Sequence, residues 1–267
     1  MLASGGSDEP SCAIDGGKMT QIRSRPSPAA GTLYLVATPI GNLEDITQRA
    51  LRTLGEVQAV AAEDTRRTRR LLDHYGVSVP VLSLFEHNER RKVPALVERL
   101  RAGASLAVVT DAGSPGVADP GYRLVRAAVE AGIEVRSVPG PSAVIAALQV
   151  SGLPTDAFTF AGFLPVKAGA RRRALKALAR RRETIVVFEA PHRIEATLED
   201  LEAIWKERPI ALARELTKTF EEAIRGSARE VRERLTNEKR RGEMVLVLSG
   251  LGRSAKHEDA PEPEAEP

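Results

Sequence analysis

The chain has 267 residues, 42% of them hydrophobic and 28% charged, with a formal charge of +3. That is enough apolar material to bury the core of one large domain or two small ones, and it excludes a collagenous or wholly disordered chain. A single cysteine, Cys12, excludes an intrachain disulfide framework, and no apolar run is long enough to cross a bilayer as a helix.

Residues 1–30 are rich in Gly, Ser, Pro and Ala and show no periodicity, which predicts a disordered tail; Met19 is an alternative start under that reading. The tail has no apolar signal core, and Asp8, Glu9 and Asp15 oppose a transit peptide, so the expected location is the cytoplasm with no membrane contact. Ordered structure is expected from the buried-strand pattern at 33–37, which ends in the turn Thr38-Pro39-Ile40-Gly41-Asn42. A helix is expected over 45–54, from Ile46, Ala50, Leu51 and Leu54 at helical spacing, then a strand at 57–61 that ends in Glu63-Asp64-Thr65-Arg66. A helix to about 75, a strand at 81–84, a polar loop Glu86-His87-Asn88-Glu89 and a helix to 102 come next. Strand 106–109, a helix near 123–131 and strand 134–138 complete an alternating β/α unit, which predicts a mainly parallel sheet covered by helices.

A helix after Pro141 leads into a second rhythm: strand 158–161, a basic helix 167–182, strand 184–188, helix 194–206 and strand 210–213. A hairpin arm at 221–225, a charged helix 229–241 and a last strand at 244–248 finish it. Strands lie closer together here, which predicts a mixed sheet. The expected organisation is therefore α/β in two domains, 31–142 and 143–252, with an acidic, proline-rich disordered tail at 253–267.

Two Gly/Pro-rich loops follow short apolar runs and precede helical patterns: Thr110-Asp111-Ala112-Gly113-Ser114-Pro115-Gly116 and Pro139-Gly140-Pro141-Ser142. Each alone reads as an ordinary tight turn. With the turn after Thr38 they make three loops at strand ends, where open α/β sheets bind ligands. There is no G-x-G-x-x-G after the first strand and no P-loop, and His74, His87, His192 and His257 have no Cys or His at ligand spacing. No G-x-S-x-G and no cysteine nucleophile occur in the folded part, so neither a metal nor a covalent catalyst is expected.

Taken together, these loops resemble the tetrapyrrole-methylase superfamily of S-adenosylmethionine-dependent methyltransferases, and within it the branch that methylates cytidine ribose 2′-oxygens of small-subunit (16S) ribosomal RNA. The resemblance rests on the segment from Leu33 to Thr47, on Glu63-Asp64-Thr65-Arg66, His87-Asn88-Glu89, the loop from Thr110 to Gly121, and Pro139-Gly140-Pro141-Ser142-Ala143. In the second half it rests on Gly162-Phe163-Leu164-Pro165, Glu189-Ala190-Pro191-His192-Arg193 and Arg214-Glu215-Leu216-Thr217-Lys218. It implies a two-domain fold with S-adenosylmethionine in the cleft between the domains, a homodimer, and an RNA target in the decoding region, met in the assembled subunit. By position it places cofactor contacts on Pro39, Asp111, Ala112, Gly113, Ser142, Ala143, Phe188, Glu189, Ala213, Arg214 and Met244.

Methyl transfer to a ribose hydroxyl needs an oxygen in line with the methyl–sulfur bond, and a base or a cation to handle the developing alkoxide. Arg214, Glu215 and Lys218 lie just past a strand end; Lys218 is assigned to the alkoxide or a proton relay and Glu215 to orienting it, against an exposed ion pair as the plain alternative. Asp64 and Arg66 read as substrate or cofactor-loop residues, or Asp64 as a helix cap. His87, Asn88, His192 and Arg193 read as RNA contacts or as inert loop and capping residues. Lys167, Arg171, Arg172, Arg173, Lys176, Arg180, Arg181 and Arg182 form a basic stretch with almost no acid among them, which suits RNA phosphates better than helical ion pairing. Two rivals stay open on the residues alone: a methylase acting on a tetrapyrrole such as a precorrin, and a non-catalytic RNA-binding module.

Overall fold

The computed structural model describes residues 31–252; the tails expected at 1–30 and 253–267, with Cys12 and Met19, lie outside them. Strands β1 (Thr32–Val36), β2 (Ala59–Ala62), β3 (Val81–Ser83), β4 (Leu106–Val109) and β5 (Glu134–Val138) form a parallel sheet in the order β3-β2-β4-β1-β5. Strands β2 and β4 are buried throughout, as expected of apolar runs covered on both faces. Helices α1 (Gln48–Glu56) and α2 (Thr65–His74) cover one face through Ala50, Leu54 and Leu72. Helices α3 (Glu86–Arg101) and α4 (Tyr122–Glu130) cover the other through Leu96, Leu100, Leu124 and Ala128. Neighbouring strands β1 and β4 therefore send their following helices to opposite faces, and a crevice opens at their carboxyl ends.

Helix α5 (Ala143–Ser151) carries the chain to the second sheet, built from β6 (Phe158–Phe163), β7 (Thr184–Glu189), β8 (Ile210–Arg214), β9 (Glu222–Gly226) and β10 (Met244–Leu248). Its order is β6-β7-β10-β8-β9, with only β6 and β7 parallel, so the sheet is mixed as its strand rhythm predicts. On the inner face α5 packs through Val144, Ala147 and Leu148 against Val186, Ala211 and Val245, and Ile40 of the first half joins this cluster. On the outer face lie α6 (Ala168–Leu178), α7 (Ile194–Trp205) and α8 (Ala228–Arg234), anchored by Leu175, Leu198, Leu201 and Val231. In the register Met244 stands between Glu189 and Arg214, which sets the ends of β7, β8 and β10 in one row.

Four expectations change. Residues 86–89 are the first turn of α3, not a loop: the Asn88 side chain accepts from the Phe85 amide at 2.9 Å and starts the helix. The basic helix stops at Leu178, because the carbonyls of Arg181 and Arg182 accept from Leu251 and Gly252 and turn the chain toward β7. The charged helix stops at Arg234; buried Leu235 leaves helical geometry, and a short 3-10 turn Asn237–Lys239 follows, with Lys239 paired to Glu222 at 2.6 Å. Finally, α1 begins at Gln48, after Thr47 caps the Ala50 amide, while Leu43–Asp45 form a separate 3-10 turn.

Candidate active site

The loops after β1 and β4 are tied together by two backbone hydrogen bonds between Thr38 and Gly113, of 2.9 and 3.0 Å. Gly113 sits at φ +80°, where a residue with a Cβ is strained. Above this tie, a cleft of about 410 Å³ runs between the first sheet's loops and the ends of β7 and β10. Asp111, Ala112 and Gly113 form one wall, with Ser142, Ala143 and Val144 at the start of α5 beside them. The first turn of a helix carries amides with no partner inside the helix, so α5 offers donors to the cleft. The opposite wall is apolar: Met244 and Phe188, with Phe163 edge-on to Phe188 at 5.5 Å between ring centres. Glu189 also lines the cleft, but its carboxylate is buried and already holds Arg193 at 3.1 Å, the Thr197 hydroxyl at 2.6 Å and the Ala190 amide at 2.9 Å. It therefore offers backbone rather than charge.

Three carboxylates, Glu63, Asp111 and Asp119, reach the first-sheet side of this cleft. Asp111 accepts from the Asp64 amide at 3.0 Å and pairs with Arg67 at 3.3 Å, and Glu63 accepts from the Thr110 hydroxyl at 2.9 Å. Burial pushes the Asp119 carboxyl up to about 6; repulsion from Glu63 and Asp111 adds to this and the Thr110 hydroxyl opposes it. A cleft with this lining favours a ligand that carries positive charge.

At the cleft's other edge the segment after β8 doubles back on itself, with Glu215 at φ +50° and Thr217 at φ +68°. Such conformations cost on the order of 1–3 kcal/mol each and concentrate where function holds them. Lys218 Nζ lies 2.9 Å from Glu215 Oε1 and 3.4 Å from Glu243, a cleft residue. Burial lowers the Lys218 pKa, but the Glu215 hydrogen bond and the charges of Glu243 and Glu215 outweigh it, so the ammonium is held above its usual value. Burial likewise pushes Glu215 up, yet Lys218, the Glu243 amide and Arg214 bring it below the usual carboxylate range. The pair is charged on both sides near neutral pH. Gly41 of the first half is packed against it, since a Cβ there would lie 2.6 Å from Lys218 Cγ and 2.9 Å from Thr217 Oγ1.

A profile of the tetrapyrrole (corrin/porphyrin) methylases matches residues 32–232. The chain belongs to the tetrapyrrole methylase family. It is 47% identical over 232 residues to a Haemophilus influenzae protein named ribosomal RNA small subunit methyltransferase I, covering 86% of this chain and 82% of that one. The protein of the same name from Escherichia coli O157:H7 is 48% identical over 237 residues, 86% of this chain and 81% of the relative. Among solved structures, a Thermus thermophilus uroporphyrin-III C-methyltransferase complexed with S-adenyl homocysteine matches with a TM-score of 0.58 at 20% identity, over 82% of this chain and 98% of that one. That likeness carries the tetrapyrrole methylase fold.

Within this family fold, eight of the residues expected around the cofactor line one cleft: Asp111, Ala112, Gly113, Ser142, Ala143, Phe188, Glu189 and Met244. Three do not. Pro39 faces an adjoining, smaller pocket. Ala213 is buried against α5. The Arg214 guanidinium turns to β9, 3.3 Å from Glu222 and from the Phe220 carbonyl, so it is also withdrawn from the catalytic role expected of it. Asp64 caps α2, accepting from Arg66 and Arg67 amides, and its own amide holds Asp111.

The RNA contacts expected from sequence divide in the same way. Arg66, His87, Arg172, Arg173 and His192 are exposed. Arg171 is not available: its side chain is 7% exposed and bound to Asp200 at 2.7 Å and to the Ala196 carbonyl. Asn88 is buried in its capping bonds to Phe85 and Ser83, and Arg193 is held by Glu189 and the Leu164 carbonyl. Glu63, Arg67, Asp119, Phe163 and Glu243 line the cleft without having been singled out for a role. The position of Glu63 just past β2 and the motif loops that hold Asp119 and Phe163 were the available signals; nothing in sequence marks Glu243.

Proposed function

We propose that this chain transfers a methyl group from S-adenosylmethionine to the 2′-hydroxyl of a cytidine ribose in small-subunit ribosomal RNA, in the decoding region. The observation that carries the reading is the cleft: three carboxylates, loop and helix amides and an apolar wall around about 410 Å³, in a chain whose relatives are named for small-subunit ribosomal RNA methylation. This lining fits the methyl donor. The volume lies in the ligand-pocket range, Phe188 and Met244 suit a purine, and the carboxylates suit a sulfonium. When bound, S-adenosylmethionine supplies a methyl group on a positively charged sulfur.

The protein's own residues do the rest. Asp111, Ala112, Gly113 and the start of α5 position the donor, with Asp64 and Arg67 holding Asp111 in place. The Lys218 ammonium stabilises the oxygen as it gives up its proton to solvent water; held above its usual pKa, Lys218 is the cation of this step. Glu215 orients Lys218. Arg66, His87, Arg172, Arg173 and His192 meet the RNA. The two lobes correspond to 31–142 and 143–252. The protein works in the cytoplasm as a homodimer on the assembled small subunit, without a metal.

The experiment combines titration calorimetry against S-adenosylmethionine with transfer of labelled methyl to small ribosomal subunits from a strain lacking this protein. Heat of binding and label in the subunit RNA are expected. Donor binding with label only in an added precorrin would replace RNA by a tetrapyrrole; no donor binding would leave only an RNA-binding module.

A further inference from the structure

A second pocket, of about 200 Å³, opens between the loop after β1 and helix α2, and it shares Arg67, Thr110 and Asp111 with the cleft. Its remaining walls are mostly apolar, from Pro39, Leu43 and Leu71, with Arg70 beside them. The pocket is held open by a fixed frame: the Tyr75 hydroxyl, at the end of α2, donates to the Leu43 carbonyl at 2.6 Å. Leu43 itself is 41% exposed, so the apolar wall faces solvent rather than the core.

Helix α2 carries Arg66, Arg67, Arg69 and Arg70, all exposed. Arg66 has Asp64 at 3.6 Å and Arg67 has Asp111 at 3.3 Å. Among the described residues Arg69 and Arg70 make no hydrogen bond or ion pair, although Asp73 lies on the same helix. An unpaired guanidinium, that of Arg70, beside an open apolar pocket joined to the cleft matches one chemistry well: a phosphate next to an unstacked base. Proteins that read single-stranded RNA use that pairing of backbone charge and base surface.

We propose that this pocket holds the nucleotide adjacent to the methylated one, its base against Pro39, Leu43 and Leu71 and its phosphate on Arg70. The inference rests on the ribosomal RNA reading above and adds a second subsite to it. It also moves RNA binding toward α2, where the basic α6 has one arginine withdrawn into an ion pair.

The test uses small ribosomal subunits from a strain lacking this protein, labelled S-adenosylmethionine, and the variants Arg70→Ala, Arg69→Ala and Leu43→Ser. On a single strand each lost phosphate contact removes about 0.7 from the salt slope of binding, which at 0.1 M salt is about fivefold in KM for the subunit. Arg70→Ala therefore raises KM about fivefold, and Arg69→Ala, on the opposite side of α2 from the pocket, leaves it at the wild-type value. Leu43→Ser raises KM severalfold with its salt dependence unchanged. Donor affinity by calorimetry stays at the wild-type value in all three, and Arg126→Ala, which breaks exposed contacts with Glu130 and Tyr122, behaves as wild type. An unchanged KM and salt slope in Arg70→Ala overturns the phosphate site, as does an equal loss in Arg69→Ala. A wild-type KM in Leu43→Ser overturns the base pocket, and a shifted donor affinity shows α2 acting through the cleft instead. Should wild-type protein leave the subunit unlabelled, the ribosomal RNA reading falls first and takes this subsite with it.

Discussion

Replacing Asp119 by Asn keeps the side chain's size and removes its charge. The carboxyl is raised from the ordinary 3.8 to about 6 by burial and by the neighbouring Glu63 and Asp111. Two units at 1.36 kcal/mol each give about 3 kcal/mol for a fully enclosed group. Asp119 is only partly buried, so water screens part of the effect, and about 1.5 kcal/mol is the better figure. The folded protein holds this proton more tightly than the unfolded chain does. The cost of ionising it therefore appears as pH rises from about 4 to 6 and is complete above that window. At pH 8 the Asn variant is expected to melt about 3–6 °C above wild type, at 2–4 °C per kcal/mol for a chain of this size. At pH 4 the two should melt within about 1 °C of each other. Calorimetric melting at both pH values decides the matter: an advantage of equal size at pH 4 and pH 8, or a variant less stable at pH 8, refutes a buried, charge-crowded carboxyl.

Lys218→Met removes the cation from the developing alkoxide, so kcat should fall by about 10²–10³ while donor affinity by calorimetry stays constant; full activity would take Lys218 out of the mechanism. Gly41→Ala puts a methyl 2.6 Å from Lys218 Cγ, and a kcat loss of tenfold or more with intact donor binding is expected in single-turnover kinetics. Arg171→Ala strips Asp200 of its buried partner, which Arg172 at 3.2 Å replaces only in part. Denaturant unfolding should show a loss of about 3 kcal/mol, with no change in the salt dependence of RNA binding.

The strands were legible because buried strands read as continuous apolar runs between Gly/Pro turns, and β4 (Leu106–Val109) falls where the pattern puts it. The strand-end loops were legible for the same reason, since their Gly and Pro residues serve local backbone geometry, as at Gly113. What sequence does not carry is the partner that a charged side chain meets across the fold. Arg171 reads as part of a solvent-facing basic run until α7 brings Asp200 against it. Glu89 reads as a loop acid, yet it is buried and caps α4 by accepting from the Gly121 and Arg123 amides at 3.1 Å. Arg214 follows the same rule, its direction set by Glu222 on the neighbouring β9. Conversely, Arg69 and Arg70 stand out only once the structure leaves them without acids.

The most direct measurement digests the RNA of small subunits methylated by the purified protein and identifies the labelled nucleoside by mass spectrometry. Label in 2′-O-methylcytidine, lost in Lys218→Met, is the predicted result. Label on a base carbon or nitrogen, or in no ribosomal nucleoside at all, would contradict the account.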